Sequence, residues 1–569
     1  MRWLIGTMGL TMLLAMSCAP ASRQAGGSAS ASQGEATSST PQKELVVAVR
    51  GEPPSIAAQP ITGFSGSLER PKELFNGTLD YYDENGTPQP ELAQALPKLN
   101  TDTWKVLPDG TMDTTYKLKP NLTWHDGTPL SGDDFVFAFQ VYSTPSFGVA
   151  STPPIGLIQD VTAPDASTVT IKWKSLYPDA AGLGYDFQAL PRHILQESYT
   201  QMDPIAFAGI PFWTNEYVGL GPYRVTGWEA GAYIAGEAFD AYALGRPKID
   251  RVRVLFISDP DTAVANLMAG SVAFIADPLL SVSQAQTLEQ QGAEVLYSPV
   301  GMRTTVVQMR PDIVEWDGLL DLRVRTAIAY SLDVPGAIEA LTAGKGVLTH
   351  TLTSPQVSYY PQIEKVIQKL DYDPRKADQT MSAAGYTKGS DGFFVGSDGQ
   401  RAQFSDSSSH GDREEMELSV YVDSLRKAGF DVSQNVVSVQ QIRDPKYRSL
   451  LPGLQLRGGA YQMGSYTSDQ IPRPENHWVG DNRGGWSNPT YDRLFEEFNR
   501  TLDESEHIAK LAQLERILTT EVPIMPNMFS PYADAFVAGL KGPVARHTPY
   551  AGNTGAGAFL HVEKWEWTS

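Results

Sequence analysis

The sequence holds one cysteine, Cys18, in 569 residues. A single cysteine excludes an internal disulfide, a CxxC redox pair and a cysteine-based zinc site. Positive charge is also scarce: 45 Lys+Arg stand against 65 Asp+Glu, a formal net charge of -20. No Lys/Arg run offsets this excess, and so acidic a surface repels a phosphate backbone, which argues against a nucleic-acid partner. Beyond the N-terminal segment no apolar run is long enough to span a bilayer. Catalytic signatures are missing too. There is no GxxxxGK[ST] phosphate loop and no HExxH, and Gly63-Phe64-Ser65-Gly66-Ser67 falls one glycine short of a nucleophile elbow. Gly219-Leu220-Gly221 lacks the third glycine of a dinucleotide fingerprint and runs into Pro222, where a helix should begin. The eight histidines are scattered, so no local metal pair exists. His125, in Trp-His-Asp-Gly, reads as a surface hairpin residue rather than a catalytic one. The expectation is a chain that is not an enzyme, with no catalytic residues, no cofactor and no metal.

What is present begins with an address. Arg2 precedes an apolar stretch, Leu4 to Met16, and residues 1–17 read as a secretion signal. Ala15-Met16-Ser17-Cys18 resembles a bacterial lipobox, in which the cysteine sulfur receives a diacylglyceryl group. Each buried methylene adds about 0.8 kcal/mol, so two or more acyl chains anchor stably. Residues 18–43 are the lipidated cysteine and a tether of Ser, Ala, Gly, Thr and Gln, unable to bury a core. Length and a 41% apolar content predict two to four domains beyond it.

The body opens on Glu44-Leu45-Val46-Val47-Ala48-Val49, a buried strand by its β-branched run. Thr114 to Lys119, Leu122 to His125 and Thr168 to Trp173 alternate like half-buried strands, and Asp126-Gly127 reads as a turn. Helices become common later. Asp259-Pro260 starts one and Gly270 stops it. Asp321 to Tyr330 is amphipathic, with Arg323 and Arg325 expected in structural ion pairs. Asn488-Pro489 begins another, and Asp503 with Glu506 caps a third whose stripe of Ile508, Leu511, Leu514, Ile517 and Leu518 is core. Gly389 to Gly392 and Gly396 to Gly399 read as turns bracketing a β-hairpin rather than a calcium loop. Helices interleaved with short strands predict α/β lobes.

Several segments then carry a resemblance, in order along the chain. They are Asp126-Gly127-Thr128-Pro129-Leu130, Leu190-Pro191-Arg192-His193, Val218-Gly219-Leu220-Gly221-Pro222-Tyr223, Gly245-Arg246-Pro247-Lys248-Ile249-Asp250, Asp321 to Asp333, Ala384-Gly385-Tyr386 and Trp486-Ser487-Asn488-Pro489. Each is a weak signal alone. Together, over roughly residues 44 to 530, the chain resembles the large extracellular solute-binding proteins of the oligopeptide, dipeptide and nickel importers, the cluster C type.

The resemblance implies a type II, two-lobed periplasmic-binding-protein-like α/β fold with an extra strand-rich domain inserted in the first lobe. The first lobe would comprise 44–80, 210–298 and 525–569, the insert 81–209 and the second lobe 299–524. Hinge crossings are expected at Tyr297–Gly301 and Val522–Pro526. Such a protein is a monomeric binding lipoprotein that closes on a peptide and presents it to the permease subunits of an ABC importer. Relatives place a Trp-x-x-Asp stretch for the peptide's amino group near residues 461 to 485; here Met463-Gly464-Ser465-Tyr466-Thr467-Ser468-Asp469 stands instead. Asp469 is the expected replacement, with Tyr466, Arg473, Asn476 and Trp478 lining the cleft, and Phe64 and Arg70 facing it from the first lobe. An oligosaccharide ligand, a signalling ectodomain and, more remotely, a secreted hydrolase remain alternatives.

Overall fold

The opening run forms a strand, β1 (Glu44–Val49), with parallel neighbours on both sides, which is why its apolar residues run on without a polar face. The chain then builds an antiparallel sheet from β2 (Trp104–Val106), β3 (Met112–Lys117), β4 (Ile158–Asp165) and β5 (Thr168–Trp173), ordered β2-β3-β5-β4. α1 (Gly132–Tyr142) packs on β4 and α2 (Arg192–Gln201) on α1. β6 (Tyr223–Glu229), β7 (Tyr233–Ala238), β8 (Arg251–Phe256) and β9 (Phe274–Ile275) rejoin the sheet of β1. The computed structural model describes residues 44–57, 71–276, 278–459, 462–547 and 557–568. Cys18, Phe64 and Arg70 lie outside the described residues.

From here one long strand leads away and another returns. β10 (Glu294–Val307) leads to α3 (Leu322–Ser331), β11 (Gln403–Ser409), α4 (Asp412–Ala428), β12 (Asp431–Val437) and β13 (Leu454–Gly459). α5 (Pro489–Phe498) and α6 (Glu504–Glu521) precede the return strand β14 (Ile524–Phe536). The main sheet runs β12-β11-β13-β10-β14-β9-β1-β8-β7-β6. β10 and β14 pair from Glu294↔Phe536 to Val306↔Ile524, with a register shift between Pro299 and Gly301. The first-lobe end of β14 pairs with β9 and the second-lobe end of β10 with β13, so Ser298–Gly301 crosses opposite Ser530–Tyr532. Val522–Pro526, expected as the second crossing, instead turns the chain from α6 into β14, with Val522 in the left-handed region at φ 51°. The two crossings are one antiparallel pair, which satisfies the backbone through the junction.

One core joins the first lobe to the insertion, from Leu45 and Phe75 to Trp124, Trp173 and Trp565. In the second lobe Val307, Phe404, Leu454 and Leu456 face α3 and α4, while Met302 and Val306 face α5 and α6. The predicted stripe on α6 is core, and the Asp503 carboxylate accepts from Glu506 N–H at 2.9 Å. Tyr386–Lys388 and Phe394–Gly396 form the expected hairpin.

Three local expectations fail for identifiable reasons. Leu122 to His125 makes a single bridge, Thr123 to Pro129, because the turn at Asp126-Gly127 follows too closely for a strand. Arg323 does pair with Asp321 at 2.6 Å, but Arg325 is buried and donates to the carbonyls of Leu319, Leu320 and Glu521. His125 is only 6% exposed. Its Nδ1 accepts from Gly219 N–H and its Nε2 meets Gly221 O, both at 3.1 Å. The Asp-Gly turn tucks the ring beneath the Gly219-Leu220-Gly221 segment instead of exposing it. Those two glycines are required for a steric reason: a Cβ on either would collide with the backbone of Phe75 or Asn76.

Candidate functional site

Strand directions locate the site. β1 runs parallel to β8 and β9, and β9 is antiparallel to β14, so all three end towards Ser298–Gly301. In the other lobe β13 is antiparallel to β10, pairing Leu454 with Val307 and Gly459 with Met302, and β11 and β12 run parallel to it. They too end towards the crossing. The carboxyl ends of both sets of parallel strands therefore converge on one junction, the position where open α/β sheets bind ligands. On the first-lobe side Glu52, Pro53 and Pro54 follow β1, with Trp228 Nε1 donating to the Glu52 carboxylate at 2.6 Å.

On the second-lobe side a cavity of about 180 Å³ opens at the ends of β11 and β13. Arg303, Arg457, Arg483, Ser407, Ser408, Ser409 and Gln455 line it, with Glu414 as its acidic member. Arg457 is held by Asp481, at 3.2 Å to the carboxylate and 3.1 Å to the carbonyl. Arg303, 6% exposed, pairs with the fully buried Glu417 and lies 4.0 Å from Glu414, both on α4. Gly458 lets it through, since a Cβ there would strike the guanidinium. The Ser408 hydroxyl is buried without a hydrogen-bond partner. Three guanidinium groups beside hydroxyls and a side-chain amide suit a carboxylate, which accepts bidentate hydrogen bonds from arginine.

Behind this cavity lies a second charged group. Asp406 is fully buried on β11, and neither of its carboxyl oxygens has a well-aligned hydrogen-bond donor. Burial pushes its carboxyl up to about 7; the Ser407 amide favours the ionised form, and repulsion from Glu417 opposes it. Tyr421 on α4 completes the cluster, its hydroxyl raised well above the ordinary range, first by burial and then by Glu417.

The residues expected from sequence fall on the neighbouring loop. Tyr466 is 1% exposed and packs in the core beside Met463, Trp486 and Tyr491. Asp469 is exposed and accepts from the Thr467 hydroxyl. Arg473 donates to Ser468 O at 2.7 Å, and Asn476 to Ile471 O at 3.0 Å, so both shape the loop. Trp478 has Lys446 Nζ 5.7 Å from its ring centroid. The loop meets the cavity through Asn482, whose amide donates to the carbonyls of Tyr466, Thr467 and Trp486, next to the Asp481 that holds Arg457. Sequence reasoning missed Arg303, Asp406 and Glu417. The signal for two of them was present. Asp406 shares the Phe404 face of a strand, and Glu417 precedes Leu418 and lies one helical turn before Tyr421, so each is a charge on an apolar face.

The chain matches the bacterial extracellular solute-binding proteins, family 5 Middle, over residues 88–466. It is 24% identical over 429 residues to the oligopeptide-binding protein AppA of Bacillus subtilis (strain 168), covering 73% of this chain and 75% of that one. To the dipeptide-binding protein of Escherichia coli (strain K12) it is 25% identical over 371 residues, 61% and 64% of the two chains. Among solved structures, NikZ from Campylobacter jejuni in complex with Ni(L-His) superposes with a TM-score of 0.71 at 21% identity, covering 92% of this chain and all of that one. AppA from Bacillus subtilis in complex with a nonapeptide gives 0.68 at 21% identity, covering 93% and 99%. These structural likenesses establish the type II two-lobed fold. With the family match spanning well over half its length, the chain belongs to the bacterial extracellular solute-binding proteins of family 5 and works outside the cytoplasm.

Proposed function

We propose that this chain is the binding component of an ABC importer that captures peptides with a free carboxylate between its two lobes. The observation that carries the reading is the arginine- and serine-lined cavity at the junction where the carboxyl ends of both lobes' strands converge. Arg303, Arg457 and Arg483 are the basic partners of the carboxylate. Asp469, exposed on the adjoining loop, is the acidic partner of the amino group, with Arg473, Asn476 and Trp478 as wall. Ligand that touches both lobes favours the closed form by its differential affinity, and the permease reads closure. Peptide-binding relatives support the ligand class. Cys18 carries the lipid that holds the protein at the membrane, and the protein acts as a monomer. Among the described residues no helix is long and apolar enough to cross a bilayer, which fits that role.

Thermal unfolding of residues 43–569 with trialanine, its C-terminal amide and oligosaccharides tests this. Binding raises stability by RT ln(1 + [L]/Kd), about 2.7 kcal/mol at a hundredfold excess. The expected result is a shift with trialanine that shrinks for the amide and for Arg457→Gln. A shift with sugars alone would overturn the ligand class and leave the fold.

A further inference from the structure

The cavity and the buried carboxyl behind it are physically joined. Side chains on a strand alternate between faces, so Phe404, Asp406 and Ser408 lie on one face of β11. Ser408 reaches the cavity wall, its hydroxyl unpartnered and 3% exposed. Asp406 is one step behind it, about 7 Å along the strand at roughly 3.3 Å per residue. Both Asp406 and Glu417 are fully buried, and one guanidinium, Arg303, enters from β10. When Asp406 is ionised this group carries one excess negative charge; when Asp406 holds a proton it is neutral. An anion entering the cavity meets that difference through low-dielectric protein, where charges are felt over such distances.

We propose that binding of an anionic group in the Arg303–Arg457–Arg483 cavity is coupled to uptake of a proton by Asp406. This rests on the cavity being the anchor for the ligand's carboxylate. The groups facing Asp406 leave it as the proton acceptor. From α4 come Glu417 and Tyr421, with Glu414 and Arg413 nearer the mouth; from β10 comes Arg303. Its pairing partners on β12 and β13, Gln434 and Leu454, are uncharged. Asp333 acts on the far side through Tyr421, and Glu315 accepts from Ser405 on the strand's other face. Glu417 keeps its guanidinium partner, whereas Asp406 has none, so the proton goes to the carboxyl that lacks a counter-charge. Burial already holds that carboxyl near neutrality, and a bound anion drives it further towards the protonated form. The same protein would therefore hold an anionic solute more tightly as its surroundings acidify.

Inorganic sulfate is a suitable probe, because its charge is constant over the working range, and trialanine is the second. Calorimetry from about pH 5.5 to about pH 8 should show affinity rising towards acid, by up to about tenfold per pH unit for one linked proton. Asp406→Asn should bind with a flat profile, and Arg457→Gln should weaken sulfate at every pH. Heats measured in two buffers of different ionisation enthalpy should report close to one proton taken up by the wild type, a readout that needs no variant. Binding of equal strength at all pH values without proton uptake would overturn the coupling and leave the cavity as an anion site. Failure of both probes to bind at any pH would overturn the cavity reading and the coupling with it.

Discussion

His125 makes the fold sensitive to acid by an amount that follows from its surroundings. In the neutral ring, with the proton on Nε2, Nδ1 accepts from Gly219 N–H and Nε2–H donates to Gly221 O. Adding a proton to Nδ1 would set donor against donor in a site 6% exposed. Burial accordingly pulls its pKa from 6.5 down to about 4. The folded value lies below the unfolded one, so the unfolded chain binds the extra proton more readily. The neutral ring's contribution is complete above about pH 6.5 and is lost as pH falls to about 4, at about 1.4 kcal/mol per pH unit. That amounts to about 2 kcal/mol by pH 5 and about 3 kcal/mol at the end of the range. The assay is urea unfolding of wild type and His125→Gln at a series of pH values, comparing their free energies. The absolute curve is not diagnostic, because Asp80, Glu91, Asp406 and Glu515, all raised to about 7 chiefly by burial, favour the fold as pH falls. The difference between the two proteins isolates the imidazole. A difference that stays constant from about pH 7 to about pH 5 would refute the reasoning.

Two further outcomes follow from single contacts. Gly221→Ala places a Cβ against the backbone of Phe75 and Asn76, with no flexible side chain able to yield. It should cost about 3 kcal/mol or more, beyond the usual range for overpacking, and lower the melting temperature in a thermal scan. Glu515, fully buried, accepts from Thr353 N–H and hydroxyl at 2.8 Å, and burial raises its carboxyl to about 7. The folded value exceeds the unfolded one, so its contribution is complete below about pH 4 and lost as pH rises through 7. Glu515→Gln, compared with wild type by urea unfolding, should therefore gain relative stability by about 3 kcal/mol between about pH 4 and about pH 7.

How far the sequence led differs from element to element. α6 was legible because its signals are local: Asp503 caps it, and its apolar stripe repeats every three or four residues. β1 was legible for the same reason, as a short β-branched run. The expectations of a secretion signal and of lipidation at Cys18 rest on residues outside the described structure, where Phe64 and Arg70 lie as well. The loop from Tyr466 to Trp478 was singled out in sequence as the expected ligand loop, but which side chains it exposes was not legible there. Tyr466 is enclosed in the core, while Asp469 stands in solvent two residues beyond the buried Thr467.

The sequence by itself determined most element types and turns, because these rest on periodicities and neighbours within a dozen residues, and it carried the family resemblance through short motifs that follow in order along the chain. Tertiary structure alone decided that the return crossing lies at Ser530–Tyr532 rather than at Val522–Pro526, and what waits at the junction. Arg303 meets Glu417 across 114 residues of chain, and Asp406 lies among them only because β10, β11, β13 and α4 close around one point. No local pattern encodes that meeting. It is set by strand register, which places residues distant in sequence side by side and removes their water together, and the shifted proton equilibrium of Asp406 follows from that burial.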